Sequence, residues 1–152
     1  MIPDATQRPD HDRLSPAQGD TDHSLTPLDQ LLRKMRPRLH EGTVAYCTLP
    51  TGAAVPQQAI ASFREDEALT VILALADATS AGLTPRFLAA WITLEVYSAL
   101  DAVGLTAAVS RALADAGIPC NVVAAFHHDH LFVPAEQARA AREVLEQLSR
   151  QS

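Results

Sequence analysis

The run WITLEVYSALDAVGLTAAVSRALADAGIPCNVVAAFHHDHLFVP, from Trp91 to Pro134, constrains this chain more than any other feature. In Trp91–Tyr97 the apolar Ile92, Leu94 and Val96 recur at period two, which is the signature of a strand with one buried face. Ser98–Asp101 breaks that pattern, and Asp101 is placed to cap a helix. Leu105, Val109, Ala112, Leu113 and Ala116 then follow at helical spacing, Gly117 supplies a left-handed stop, and Pro119 lies two residues beyond. Asn121–Phe126 and His130–Val133 are rich in β-formers and flank a short polar turn, so they pair as a hairpin. Pro134 opens a second helix with Ala141, Val144, Leu145 and Leu148 on its buried face. The order β-α-β-β-α is the ferredoxin-like plan without its last strand.

The first half of the chain divides in two. Residues 1–24 are rich in Asp, Pro, Gln, Ser and Thr and poor in large apolar residues, a composition that predicts a disordered tail. At Thr26 the pattern changes: Thr26 suits an N-cap, Pro27 the first helical position, and Leu28, Leu31, Leu32 and Met35 form an apolar stripe that Pro37 ends. Strands are expected over Thr43–Leu49, Ala59–Phe63 and Leu69–Leu75, and a short helix or loop over Asp77–Leu83. The inventory of about six strands and four helices exceeds one ferredoxin-like unit. It predicts an α+β fold of two interleaved βαββαβ modules, with antiparallel sheets and helices on one face. The expected division is a tail at 1–24, one module at 25–88 and a second at 89–152. The strand at 43–49 is expected to complete the second module's sheet.

Three segments carry a resemblance. FREDEALT (Phe63–Thr70), SALDAVGLTAAVS (Ser98–Ser110) and NVVAAFHHDHLFVP (Asn121–Pro134) resemble the ACT domain, a small ligand-sensing module attached to many amino-acid-metabolising enzymes. The likeness extends over roughly Leu28 to Leu148 and is closest to short stand-alone bacterial proteins made of two ACT-like modules. Ala68 is a departure, since the family pattern has Gly there.

The candidate chemistry starts where the strand of Trp91–Tyr97 delivers its end onto a helix. A helix start exposes free backbone N–H groups and the positive end of the helix dipole, a ready site for an anion such as an amino acid's carboxylate. Ala102 and Gly104 leave the backbone approachable. The resemblance implies an effector site lined by this turn and the start of the next strand. Those positions are Ser98, Leu100, Asp101, Ala102, Val103 and Gly104 on one side, with Asn121 and Val122 on the other. Asn121 offers both donor and acceptor, and Asp101 a partner for an ammonium group, although capping alone also explains an Asp there.

His127-His128-Asp129-His130 holds the right donors for a transition metal. Neighbouring strand residues point to opposite faces, however, so at most two of the four share a side, and the alternative is a polar hairpin turn. The acidic turn Arg64-Glu65-Asp66-Glu67 lacks a nucleophile or oxyanion site in recognisable order, and Trp91 is expected in the core. The basic run Arg33–Arg38 decorates one helix end in a chain of net charge −6, which disfavours nucleic acid and anionic membrane. No apolar run reaches the roughly 18 residues of a membrane span, and the acidic N-terminus does not fit a signal peptide. The chain is therefore expected in the cytosol, where Cys47 and Cys120 stay reduced.

Three function classes follow. The leading one is a non-catalytic regulatory module, without cofactor or metal, that senses a small-molecule effector such as an amino acid. Its edge strands would let two copies pair as a homodimer. The second is a structural protein that docks a partner and binds no ligand. The third is a metal-binding protein built on the histidine hairpin.

Overall fold

The structure is a computed structural model and describes residues 28–97 and 103–151. Seven strands form one sheet: β1 (Pro37–Leu39), β2 (Val44–Leu49), β3 (Ala61–Arg64), β4 (Leu69–Ala74), β5 (Phe87–Leu94), β6 (Asn121–Ala124) and β7 (Asp129–Pro134). Four α-helices accompany them: α1 (Leu28–Lys34), α2 (Leu75–Ser80), α3 (Leu105–Asp115) and α4 (Ala138–Gln151), the last preceded by a 3-10 turn at Ala135–Gln137. Strand order is β3-β4-β2-β5-β7-β6, every pairing is antiparallel, and β1 lies beside β5.

The long strand β5 interleaves the two units. Its first residues pair with β2, with Ala89 opposite Val44 and Phe87 opposite Tyr46. Its last residues pair with β1, with Ile92 opposite Leu39 and Leu94 opposite Pro37. Its other edge pairs with β7 throughout, from Ala89–Pro134 to Leu94–Asp129. One four-strand set is thus β5-β2-β4-β3 and the other β1-β5-β7-β6, each in ferredoxin-like order, with β5 common to both. The sequence suggests completion of the second sheet by the strand at 43–49, and β2 does pair with β5. Pro37–Leu39 takes part as well, a strand too short to show any period in the letters. In the first unit the irregular chain from Pro50 to Ile60 stands where a helix would cross.

Alternation decides the two faces of the sheet. Ala90, Ile92 and Leu94 of β5, with Leu131 and Val133 of β7, meet Leu31 and Leu32 of α1, Val109 and Leu113 of α3, and Ala141 and Leu145 of α4 in the main core. On the same face, Ala78 of α2 packs on Ala45, Cys47, Val71 and Leu73. Burial of each large aliphatic side chain here stabilises the fold by about 1.5–3 kcal/mol. Val96 belongs to the same core, so the period of Ile92, Leu94 and Val96 reads through to the packing. The strand itself starts four residues earlier than its periodic stretch and ends at Leu94. Gly117, at φ +70, ends α3, and the amide of Ile118 bonds the carbonyl of Leu113 at 2.9 Å. Pro134 closes β7 and precedes the 3-10 turn, so α4 begins at Ala138.

Among the described residues, the cluster on the other face is built from strands alone. Val44, Ile72, Ala89 and Phe132 are buried there, with Tyr46, Phe87, Trp91, Ala61 and Val123 packed around them. Ala61 is on edge strand β3 and Val123 on the opposite edge strand β6, yet both line one cleft with Trp91 and Phe132. The sheet therefore curls until its two edges overhang the same concave surface.

Candidate functional site

At the α3 end of the sheet, several of the chemistry-bearing segments meet. The helix starts at Leu105, and its N-cap is Gly104 at φ +110, with no side-chain cap bond. Asp101 therefore does not sit at the N-cap position the sequence suggests for it. A glycine is required at position 104 because that φ is one L-residues rarely adopt. A Cβ there would also meet Leu28 Cδ2 of α1 at 3.0 Å. Ser98, Leu100, Asp101 and Ala102 lie outside the described residues. Val103 is 90% exposed.

The histidine hairpin comes to the same place. Ala125 N–H bonds the carbonyl of His128 at 3.1 Å to close the turn, and His128 Nδ1 lies 3.5 Å from the carbonyl oxygen of Val96. Asp129, half-buried, makes a side-chain hydrogen bond with Thr106 in the first turn of α3. Burial pushes its carboxyl above the ordinary carboxylate value, while His130, Thr106 and His128 pull the other way. The carboxylate thus lies against the first turn of α3, whose N-cap glycine has no side chain.

Asn121 and Val122 are placed elsewhere. Ala124 is the β6 residue level with Asp129, whereas Asn121 is level with Phe132. Three strand residues put Asn121 about 10 Å from the helix-start end. Val122 packs against the main core.

Strand alternation sends His130 to the opposite, concave face, away from Asp129. There Trp91 is half-buried and packs, as its expected place in a core requires, against the cluster of Val44, Ile72, Ala89 and Phe132, with polar groups at its edge. Its ring stacks on His40, with centroids 3.6 Å apart and planes at 2°. Trp91 Nε1–H donates to His130 Nδ1 at 3.1 Å, Thr93 Oγ1 is 3.0 Å from that nitrogen, and His40 Nε2 is 2.7 Å from Thr93 Oγ1. An indole N–H can only donate, so His130 Nδ1 is an acceptor and the ring's proton sits on Nε2. Trp91 thus takes the single lone pair of His130 Nδ1, the Thr93 hydroxyl lies between the two imidazoles, and Arg38 Nη2 lies 3.5 Å from His40 Nε2. Burial lowers the pKa of both histidines; Arg38 adds to this at His40 and His128 at His130, while Glu95 and Asp129 oppose it. Sequence reading missed this cluster because His40 is 51 residues from Trp91. Its only trace is that Thr93 and His130 alternate out of phase with the core-facing residues beside them.

Two clefts flank Trp91. One, of about 720 Å³, lies between the His40–Val44 stretch and Ala74–Thr79; the other, of about 370 Å³, lies between the edge strands. Among the described residues no cluster of three or more His, Cys, Asp or Glu is placed to hold a metal ion. Both thiols are free. The acidic hairpin turn is a solvent-facing loop in which Thr70 Oγ1 donates to Glu65 Oε2. No residue other than glycine has positive φ among the described residues, so Ala68 sits in its turn without backbone strain.

Residues 24–90 match one ACT domain family model and residues 88–147 match another. The chain belongs to the ACT domain family. ACT domains are regulatory, small-molecule-binding modules, and this chain carries two of them. A Vibrio cholerae protein of unknown function, described as a possible transport protein, is 41% identical; the match covers 80% of this chain and 95% of that one, with a TM-score of 0.71. An Agrobacterium tumefaciens protein shares the fold at 20% identity, with coverage of 76% and 90% and a TM-score of 0.58. The regulatory subunit of aspartate kinase from Thermus thermophilus does so at 14% identity, with coverage of 74% and 95% and a TM-score of 0.51. No curated protein matches the sequence. Among the described residues, no helix is long and apolar enough to cross a membrane.

Proposed function

We propose that this ACT protein is a non-catalytic sensor of an amino acid, or a similarly small zwitterion, bound at the start of α3. The observation that carries the proposal is the meeting of Asp129 with the first turn of α3. A zwitterion needs an anion site and a cation site a few ångströms apart. The first amides of α3, behind an N-cap glycine with no side chain to bond them, suit its carboxylate, and the Asp129 carboxylate suits its ammonium group. An ammonium partner would also relieve the burial cost that raises the Asp129 pKa. Gly104, the N-cap of α3, and the exposed Val103 before it adjoin the proposed site. The proposed site does not draw on Asn121 and Val122, which lie further along β6. In the cytosol such a protein would respond only through the ligand's differential affinity for its states. The test is amide-resolved NMR with single amino acids: the N–H signals of Leu105, Thr106 and Ala107 move saturably with a true ligand while those of β3 stay still. Movement confined to other regions contradicts the site.

A second function class, docking of a partner or a second copy, draws on exposed apolar residues at this same end. Tyr97 is 62% exposed, and Phe126 in the hairpin turn is 69% exposed. Sedimentation over a hundredfold concentration range separates the two: a sensor binds its amino acid at concentrations where the chain is monomeric, a docking surface does not.

A further inference from the structure

We infer that the seam between the two edge strands is a second binding site, distinct from the helix start, for a planar uncharged ring that carries a hydrogen-bond acceptor. The curl of the sheet brings Ile60 and Ala61 from one edge and Val123 and Ala125 from the other over a floor of Trp91 and Phe132. The volume of this half-open cleft, about 370 Å³, lies within the range of small-molecule sites. The Trp91 and Phe132 rings are nearly parallel, 17° apart with centroids 6.5 Å from one another; the buried Phe132 backs the half-buried Trp91, whose ring is the aromatic surface open to edge-on packing.

Polarity selects the ligand further. Among the residues lining the seam, His130 is the one titratable group, and no charged side chain is there to balance an ion. Because Trp91 Nε1–H occupies His130 Nδ1, the imidazole keeps its proton on Nε2 and offers the ligand a donor. Both groups are fixed in advance. Trp91 is held by the His40 stack on its face and by His130 at its nitrogen, and Phe132 is 1% exposed. A site whose groups are already immobile loses little freedom on binding.

Trp91 is the chain's single tryptophan, so one indole N–H resonance reports on the site. The probe is 4-fluorobenzamide, a planar neutral ring with a carbonyl acceptor, followed at that resonance and by fluorine line width. The expected result is a saturable shift with the full chain, absent with 4-fluorobenzoate, which is charged, and with cyclohexanecarboxamide, which is not planar. Val123→Phe fills the seam from one edge and Ala61→Phe narrows it from the other; either is expected to abolish the shift in a protein whose remaining spectrum is unchanged. His130→Phe keeps the ring and removes the donor, and is expected to weaken binding about threefold to tenfold. An indole resonance that does not saturate, or that responds equally in the filled variants or to the charged probe, overturns the inference. So does movement of that resonance with protein concentration alone, which would make the seam an interface between copies.

Discussion

His130 shows how a single residue's chemistry is set by which face of a strand it occupies. Its neighbour Asp129 faces α3, while its own ring faces Trp91, Thr93 and, through Thr93, His40. Protonation would place a hydrogen on Nδ1, where Trp91 already donates, and would add a cation beside His40, His128 and Arg38, with Asp129 and Glu95 as the opposing charges. Both histidines have folded pKa values lowered below the unfolded value of 6.5, so the unfolded chain binds more protons in that window. The expected outcome is a melting temperature level above pH 7 and falling as pH drops through about 6.5; a His40→Phe, His130→Phe double variant should flatten that slope. Asp129 acts with the opposite sign and at lower pH, since its raised pKa makes the folded state the stronger proton binder above 3.8. Gly104→Val forces an L-residue into φ +110 and should cost about 1–3 kcal/mol in denaturant unfolding. Gly104 was legible as a turn residue. The His40–Trp91–His130 cluster was not, because the letters show alternation along a strand but not which distant residue stacks across it.

At the scale of elements, the helices and the central strands follow from period and punctuation, and the misses have physical causes. The α4 face was readable because Ala141, Val144, Leu145 and Leu148 repeat at helical spacing, and Leu145 is fully buried. Leu145→Ala should destabilise the protein by about 2–5 kcal/mol, measured as a shift of the denaturant midpoint without change of slope. The start of α3 was placed too early because Asp is a good capping residue wherever a helix might begin, whereas Gly104 caps through backbone conformation alone. Strand β1 escaped notice because three residues after a helix, one of them Pro37, make no pattern of their own. It exists because β5 extends past β2 and leaves a partner edge open. The hairpin of β6 and β7 was visible, but not that its turn arrives beside α3. That arrival brings two separate sequence candidates, the helix start and the histidine cluster, to the same end of the sheet.

For the whole molecule, the consequence of interleaving is that neither module owns its sheet. β5 is the fourth strand of one set and the first of the other. Cutting the chain between residues 88 and 89 leaves one fragment without most of β5 and the other without β1, so neither piece is expected to show a dispersed NMR spectrum alone. A folded fragment would show that the shared strand is dispensable. Sharing also means that a ligand at the end of β5 bears on both modules, which is how a regulatory module can transmit binding. The most direct test of the sensor account is a thermal-shift panel of the twenty amino acids on the intact chain and on Asp129→Asn, which keeps an acceptor for Thr106 but removes the charge. At one hundred times its dissociation constant a ligand adds about 2.7 kcal/mol, a rise of about 5–10 °C at this size. The account predicts such a rise with one or two amino acids for the intact chain and its loss in Asp129→Asn. A panel flat for the intact chain, or a rise that survives in the variant, would contradict it.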